Sequence, residues 1–349
     1  MNSISKKIAV IFVPGLMGTE LKRDSDNLQL WPVKTRAKLQ KLALDENGND
    51  YPENKASPSI VIKTIDVGIN NYKKFFDNMN SLGNYEENID LFSVPYDWRK
   101  DLEGESVRIK EKIDESLDKG NTEIAIVAHS MGGLLVRSFL SKFPSYFSLI
   151  DKIFFCGTPH LGAPVALDMI YNGTNLPQIF WHDKNRISFI TTNMPSIYQL
   201  MPSSKYKHQN QNDFFYHNDN LRNDNTHHVT VKGINQSMIN KAKVFHDSLD
   251  NNWDKFRWAN KAFFMASQSR NTITSIEPDK NSDKQIKLIY KYGKGDGRVP
   301  ITSASPDFLI YNKTKQVFYF DERHDQLLSN QLVVQKILDL IDSSNASSV

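Results

Sequence analysis

The sequence predicts an α/β fold: a mostly parallel, doubly wound sheet with an inserted, mainly helical cap. Three observations predict it. Short continuous apolar runs recur at Ile8–Val13, Glu123–Ala128, Lys152–Gly157 and Ala262–Ala266, as expected of strands buried on both faces. Segments with helical spacing alternate with these runs, which is the strand–helix–strand rhythm of a doubly wound sheet. Between about residues 165 and 260 that rhythm stops, and Asn, His, Trp and Tyr become frequent.

The first run, Ile8 to Val13, is closed by Pro14-Gly15. Two lysines precede it, but it is short and no small-residue cleavage site follows, so it reads as a buried strand and not as a signal peptide. Residues 19 to 58 are polar around a lone Trp31-Pro32 and read as a long excursion from the core. The excursion, extended to residues 19–68, is a candidate lid, with Trp31 a candidate lipid-facing residue. Tyr72, Phe75, Phe76 and Met79 give residues 70–83 helical spacing, ending near Gly83. Leu91 to Pro95 is a short strand candidate, and Val107, Ile109, Ile113 and Leu117 mark an amphipathic helix over 104–118.

The run Glu123–Ala128 leads directly into His129-Ser-Met-Gly-Gly133, and Leu134 to Phe143 then reads as a buried helix. The strand Lys152–Gly157 ends in Thr158-Pro-His-Leu-Gly-Ala-Pro164. After the cap, Ala262–Ala266 resumes the sheet, residues 270–285 are a polar loop or hairpin, and Gly295 to Pro300 is a glycine-rich turn. Gln316–Phe320 is the last strand, and Leu327 to Ile341 is a closing helix. The expected organisation is a core over 1–164, a cap over 165–260, and the rest of the core over 261–349.

Composition narrows the function. The 349 residues suffice for a large core with an insertion, and 39% hydrophobic with 24% charged residues is ordinary for a globular chain. A net charge of +3 on 43 basic and 40 acidic residues offers no surface dense enough to neutralise many phosphates, so nucleic acid is not an expected partner. The single cysteine, Cys156, forbids an internal disulfide and suits a reducing, cytoplasmic location. No stretch approaches the roughly 20 apolar residues of a membrane span. Any membrane contact is expected to be peripheral. His227-His228 lacks companions at metal-ligand spacing and reads as a solvated part of the cap. No metal or cofactor is expected.

The chemistry is concentrated at Ala128-His-Ser130-Met-Gly132. A strand, this pentapeptide and a helix make a nucleophile elbow, G-x-S-x-G with alanine first, as in the α/β-hydrolase fold. A tight strand-to-helix turn tolerates only small residues two positions either side of the serine. It also sets Ser130 at a helix N-terminus, where the Met131 N–H points toward a developing oxyanion. The triad order in such folds is serine, acid, histidine. Of His160, His182, His208, His217, His227, His228, His246 and His324, His324 alone follows the last strand and precedes the terminal helix, as the base should. His160 precedes the acid and reads as loop-ordering. Asp296, in Gly295-Asp-Gly297, lies between the last two strands and would orient the imidazole; Asp321, three residues before His324, is the runner-up. The loop Val13-Pro-Gly-Leu-Met-Gly18 after the first strand can supply a second oxyanion donor from its backbone.

Five segments together resemble the lecithin:cholesterol acyltransferase-like family, which includes lysosomal phospholipase A2 and phospholipid:diacylglycerol acyltransferases. They are Val13–Gly18, Pro95-Tyr-Asp-Trp-Arg99, Ala128–Gly133, Gly157-Thr-Pro-His-Leu-Gly-Ala-Pro164, and Gly295-Asp-Gly-Arg-Val-Pro300 before His324. The resemblance implies acyl transfer from a lipid ester through an acyl-serine, with Ser130, Asp296 and His324 at the triad positions. It places the second oxyanion amide at Leu16, beside Met131, with Met17 near the substrate. Asp97, Trp98 and Arg99 are expected to brace the site. Relatives are often secreted or membrane-anchored, and some carry a lid disulfide that one cysteine cannot form. Hydrolysis and transfer to an acceptor alcohol use the same triad. The rival expectations are a cytoplasmic esterase or thioesterase on a soluble metabolite, and a non-catalytic binding protein on this scaffold.

Overall fold

The computed structural model describes residues 7–33, 36–64, 72–173, 184–206, 234–278 and 288–346. In chain order its strands are β1 (Ala9–Val13), β2 (Thr19–Arg23), β3 (Gln29–Trp31), β4 (Ala56–Val61), β5 (Leu91–Ser93), β6 (Ile124–His129), β7 (Ile150–Cys156), β8 (Ala262–Ala266), β9 (Arg270–Pro278), β10 (Leu288–Gly295) and β11 (Val317–Tyr319). Six of them form the central sheet in the order β11-β8-β7-β6-β1-β5, and every neighbouring pair is parallel.

Each apolar run supplies side chains to both sheet faces by its period of two. In β1, Val10 and Phe12 join a cluster with Phe75, Phe76, Met79, Val333 and Ile337. These come from the helices Lys73–Gly83 and Gln331–Ala346. Ala9, Ile11 and Val13 join Ile109, Ile113, Leu134, Leu135 and Phe139 on the opposite face. Their helices are Val107–Asp118 and Gly132–Lys142. Burial of each such side chain stabilises by about 1.5–3 kcal/mol, which explains the lack of polar alternation in these strands. This is the α/β-hydrolase arrangement that the sequence predicts. Its strand order reverses at β1, which has β5 on one side and β6 on the other. A crevice opens beyond the carboxyl ends of strands at such a switch point, and the loops after β1 and β6 meet there.

The excursion after β1 is more ordered than its polar composition suggests. β2 pairs antiparallel with both β3 and β4, making a second sheet of three strands. Sparse apolar residues hold it to the core: Leu21, Leu30, Trp31, Leu39, Leu42 and Leu44 are all buried. Trp31 therefore does not face lipid. Its indole is fully enclosed, packs edge-on to Trp98 at 5.5 Å between ring centroids, and donates from Nε1 to the Met17 carbonyl at 2.8 Å. Residues 65–68 of the expected lid and 70–71 of the expected helix lie outside the described residues.

Between 165 and 260 the described residues form the helices Val165–Asn172, Lys184–Thr191, Pro195–Gln199 and Gln236–Asn251. Residues 174–183 and 207–233, with His182, His208, His217 and the pair His227-His228, lie outside the described residues. A buried ion pair, Arg137 to Asp250 at 2.9 Å, ties the last of these helices to the helix that follows Ser130. β9 and β10 form an antiparallel hairpin whose connection, 279–287, is also outside the described residues. Among the described residues no helix is long and apolar enough to cross a membrane.

Candidate active site

β6 ends at His129, and the next residue, Ser130, has a φ of +53°, in the left-handed region. A non-glycine residue there carries strain and persists because its surroundings over-determine it. The Ser130 N–H donates to the Cys156 carbonyl at 2.9 Å and its own carbonyl accepts from Gly133, which pins the turn from both sides. The sequence predicts small residues here, and the structure shows what excludes larger ones. A Cβ at Gly132 would lie 2.5 Å from the Pro14 carbonyl oxygen and 2.6 Å from that of Val13. Both obstacles are backbone, at the end of β1 and the start of the loop that follows it. Gly132→Ala is expected to cost about 1–3 kcal/mol by overpacking and to displace that loop, read as a lowered thermal midpoint together with slower labelling of Ser130 by a fluorophosphonate.

His324 opens a short 3-10 turn after β11, and its N–H donates to the Asp296 carbonyl at 2.9 Å. Its Nε2 lies 2.8 Å from Ser130 Oγ and its Nδ1 lies 2.7 Å from Asp296 Oδ2. The carboxylate only accepts, so Nδ1 carries the proton and Nε2 is left to accept from the serine hydroxyl. The second Asp296 oxygen accepts from the Arg298 N–H at 2.9 Å and the Val299 N–H at 2.7 Å. Burial pushes the Asp296 carboxyl upward, but the His324 charge and hydrogen bond, with the Val299 and Arg298 amides, outweigh it and hold the group below its ordinary value. Gly157, at φ +60°, passes beneath: a Cβ there would lie 3.1 Å from Asp296 Oδ2 and 3.2 Å from His324 Nδ1.

The structure thus brings Ser130, His324 and Asp296 into one relay. It leaves the runner-up acid outside: the Asp321 side chain is 79% exposed and faces Arg270 at 3.4 Å. His160 is fully buried, edge-on to Phe155 and Phe264, and its carbonyl accepts from Arg137. The loop after β1 passes against the nucleophile, since a Cβ on Gly15 would lie 2.9 Å from Ser130 Cβ. Leu16 follows in that loop and is half-buried. Met131 is buried at the first turn of its helix, where backbone N–H groups have no i−4 carbonyl to meet. Met17 is buried in the core, and its carbonyl holds Trp31. Its side chain packs there, not on an open surface. Among the described residues no group of three or more His, Cys, Asp or Glu is arranged to hold a metal ion.

Asp97, Trp98 and Arg99 lie one layer further out. Arg99 is fully buried and bonds Asp97 through Nε at 2.9 Å and Nη2 at 2.6 Å, with Nη2 also reaching Asp50 at 2.8 Å. Trp98 donates to the Thr19 carbonyl at 3.1 Å. The group fastens the start of the second sheet, at Thr19, and the loop at Asp50 to the core. Removing one partner strands a buried charge, so Asp97→Ala is expected to cost about 3–5 kcal/mol, measured by urea unfolding. Two residues beside the triad were given no role by the sequence. Tyr72 reads from sequence as one more aromatic on a helix face, and His129 as a spacer before the serine. In the structure the Tyr72 hydroxyl lies 2.9 Å from His129 Nδ1.

A model of the lecithin:cholesterol acyltransferase family matches residues 62–338. Phospholipase A(1) LCAT3 of Arabidopsis thaliana is 27% identical over 177 residues, covering 48% of this chain and 39% of that protein. Lecithin-cholesterol acyltransferase-like 4 of the same plant is 26% identical over 205 residues, covering 51% and 37%. The chain thus spans about two fifths of the length of these curated relatives. In the crystal structure of the Tle4–Tli4 complex, a chain of the same fold superposes with a TM-score of 0.58 at 12% identity, covering 96% of this chain and 99% of that one.

Proposed function

This chain belongs to the lecithin:cholesterol acyltransferase family, and from that membership we propose that it is a serine-dependent acyl hydrolase or O-acyltransferase acting on a lipid-type acyl ester. The observation that carries the reading is the relay from Asp296 through His324 to Ser130, with contacts of 2.7 and 2.8 Å. In the proposed cycle the Ser130 oxygen attacks the ester carbonyl while His324 Nε2 takes its proton. Asp296 stabilises the imidazolium that results. The tetrahedral oxyanion is met by the backbone N–H groups of Leu16 and Met131, each such donor being worth about 3–4 kcal/mol in the transition state. His324 returns the proton to the leaving alcohol, and an acyl-serine remains. Water or an acceptor alcohol, deprotonated by the same imidazole, then releases the acyl group. In this reading Asp97, Trp98 and Arg99 brace the site without touching substrate, and the protein works in the cytoplasm at membrane surfaces.

A fluorophosphonate probe tests the nucleophile: the folded protein is expected to be labelled at Ser130, and failure to label it ends the proposal. Turnover of phospholipid in vesicles, compared with dissolved short-chain esters and thioesters, tests the substrate. A rate that rises at the interface supports the lipid reading. Full activity on soluble esters with no response to vesicles replaces it with a soluble esterase.

A further inference from the structure

Three parts of the site come from distant stretches of chain: the loop after β1, the elbow after β6, and His324. A line of hydrogen bonds, buried at Tyr72 and part-buried where it reaches His324, runs through all three. Gly15 N lies 2.8 Å from the Tyr72 hydroxyl, that hydroxyl lies 2.9 Å from His129 Nδ1, and His129 Nε2 lies 3.0 Å from the His324 carbonyl. Tyr72 and His129 are both buried.

The two ends of this line fix its direction. A backbone N–H only donates and a carbonyl only accepts. At the His324 end, therefore, His129 Nε2 carries a proton and donates it. At the Gly15 end the Tyr72 oxygen accepts. With His129 neutral, Nδ1 has a lone pair, and the Tyr72 hydroxyl donates to it. One tautomer of one uncharged imidazole satisfies every group. Burial, reinforced by the neighbouring His324, holds His129 down at about 3, so it stays neutral where the enzyme works. The rings of His129 and His324 are 4.9 Å apart at their centroids, so a charge on the first would oppose the imidazolium needed on the second.

We propose that Tyr72 and His129 are positioning residues, which lock the loop carrying the Leu16 amide to the backbone of His324 so that oxyanion pocket and base are set relative to one another. The proposal rests on the acyl-transfer reading above. It concerns geometry: neither residue exchanges a proton with substrate. Core packing alone would make the Tyr72 ring matter, since it packs edge-on to Phe12 at 4.8 Å, but not its hydroxyl.

Tyr72→Phe keeps the ring and removes the hydroxyl. The expected result is a fall of about tenfold or more in kcat with KM changed by less than about threefold, and a parallel fall in the rate of Ser130 phosphonylation. Combining it with His129→Asn is expected to cost little more than the worse single change, because both cut one line. Nitrogen-15 spectra of the unaltered protein are expected to show His129 as a neutral imidazole protonated at Nε2. Several outcomes overturn the proposal. One is a folded Tyr72→Phe protein with kcat and phosphonylation within about twofold of the parent. Others are additive losses in the double variant, and a His129 protonated at Nδ1. If the parent itself is not phosphonylated at Ser130, the acyl-transfer reading fails instead, and the nitrogen-15 spectrum still decides whether the line of hydrogen bonds exists.

Discussion

Ser130→Ala is expected to fold as the parent does and to lose kcat by about 10⁴- to 10⁶-fold. The stability half of this expectation follows from the backbone. At φ +53° an alanine meets the same left-handed penalty as the serine, and the fixing bonds to Cys156 and Gly133 are made by main-chain atoms that the change leaves alone. The Ser130 hydroxyl is bonded to His324 Nε2 alone among the described groups, so little packing is lost. The activity half follows from chemistry. Among the described residues no other hydroxyl is placed against that nitrogen, and an acyl group has nowhere to be held. Turnover with the native substrate and labelling by fluorophosphonate should vanish together. Retention of either, with Ser130 absent, would mean that the nucleophile is elsewhere.

Asp296→Asn is expected to lower kcat by about 10⁴-fold while leaving KM nearly unchanged. The asparagine amide nitrogen can donate where the carboxylate only accepts. It thereby favours the tautomer with the proton on Nε2, which faces Ser130 and cannot take its hydrogen. The Arg298 and Val299 amides, which meet the other oxygen, still find an acceptor in asparagine, so the turn should survive. Because the carboxyl is held below its ordinary range in the folded protein, its contribution to stability is present above the ordinary carboxylate range and is lost as pH falls through the folded value. The variant should accordingly lose some of the parent's acid dependence of unfolding. Asp321→Asn is the control. Its carboxylate stands in solvent against Arg270, and activity should be unchanged. The reverse ranking of the two variants would move the acid to 321.

The central sheet was legible because its strands obey a simple rule. A strand covered on both faces has little room for polar residues, and β1, β6 and β8 are buried at every residue, with His129 at the end of β6 the one polar side chain among them. The elbow was legible for a related reason: the chain must turn beneath another backbone, which restricts residue 132 to glycine. The second sheet was not. β4 carries Pro58 and two serines, and its pairing with β2 spans a long polar loop, so no local period marks it. Trp31 looked available for lipid because its partners Trp98 and the Met17 carbonyl come from elsewhere in the chain. The closing helix was foreseen, but its start was placed too early. Residues His324–Ser329 form a tighter turn, and the helix runs Gln331–Ala346. That turn brings the His324 N–H onto the Asp296 carbonyl, a contact between residues 28 apart that spacing alone does not reveal. Tyr72 and His129 were missed on the same ground.

The serine and its base stand 194 residues apart in the chain, on strands that have β7 and β8 between them. A ribosome that has released the elbow helix has therefore made a hydroxyl with no partner to activate it. Contacts of such separation form late, after the loops they close have lost their freedom. The relay is therefore complete only when synthesis has passed residue 324 and the edge strand has docked, so a nascent or truncated chain holds a serine that nothing activates.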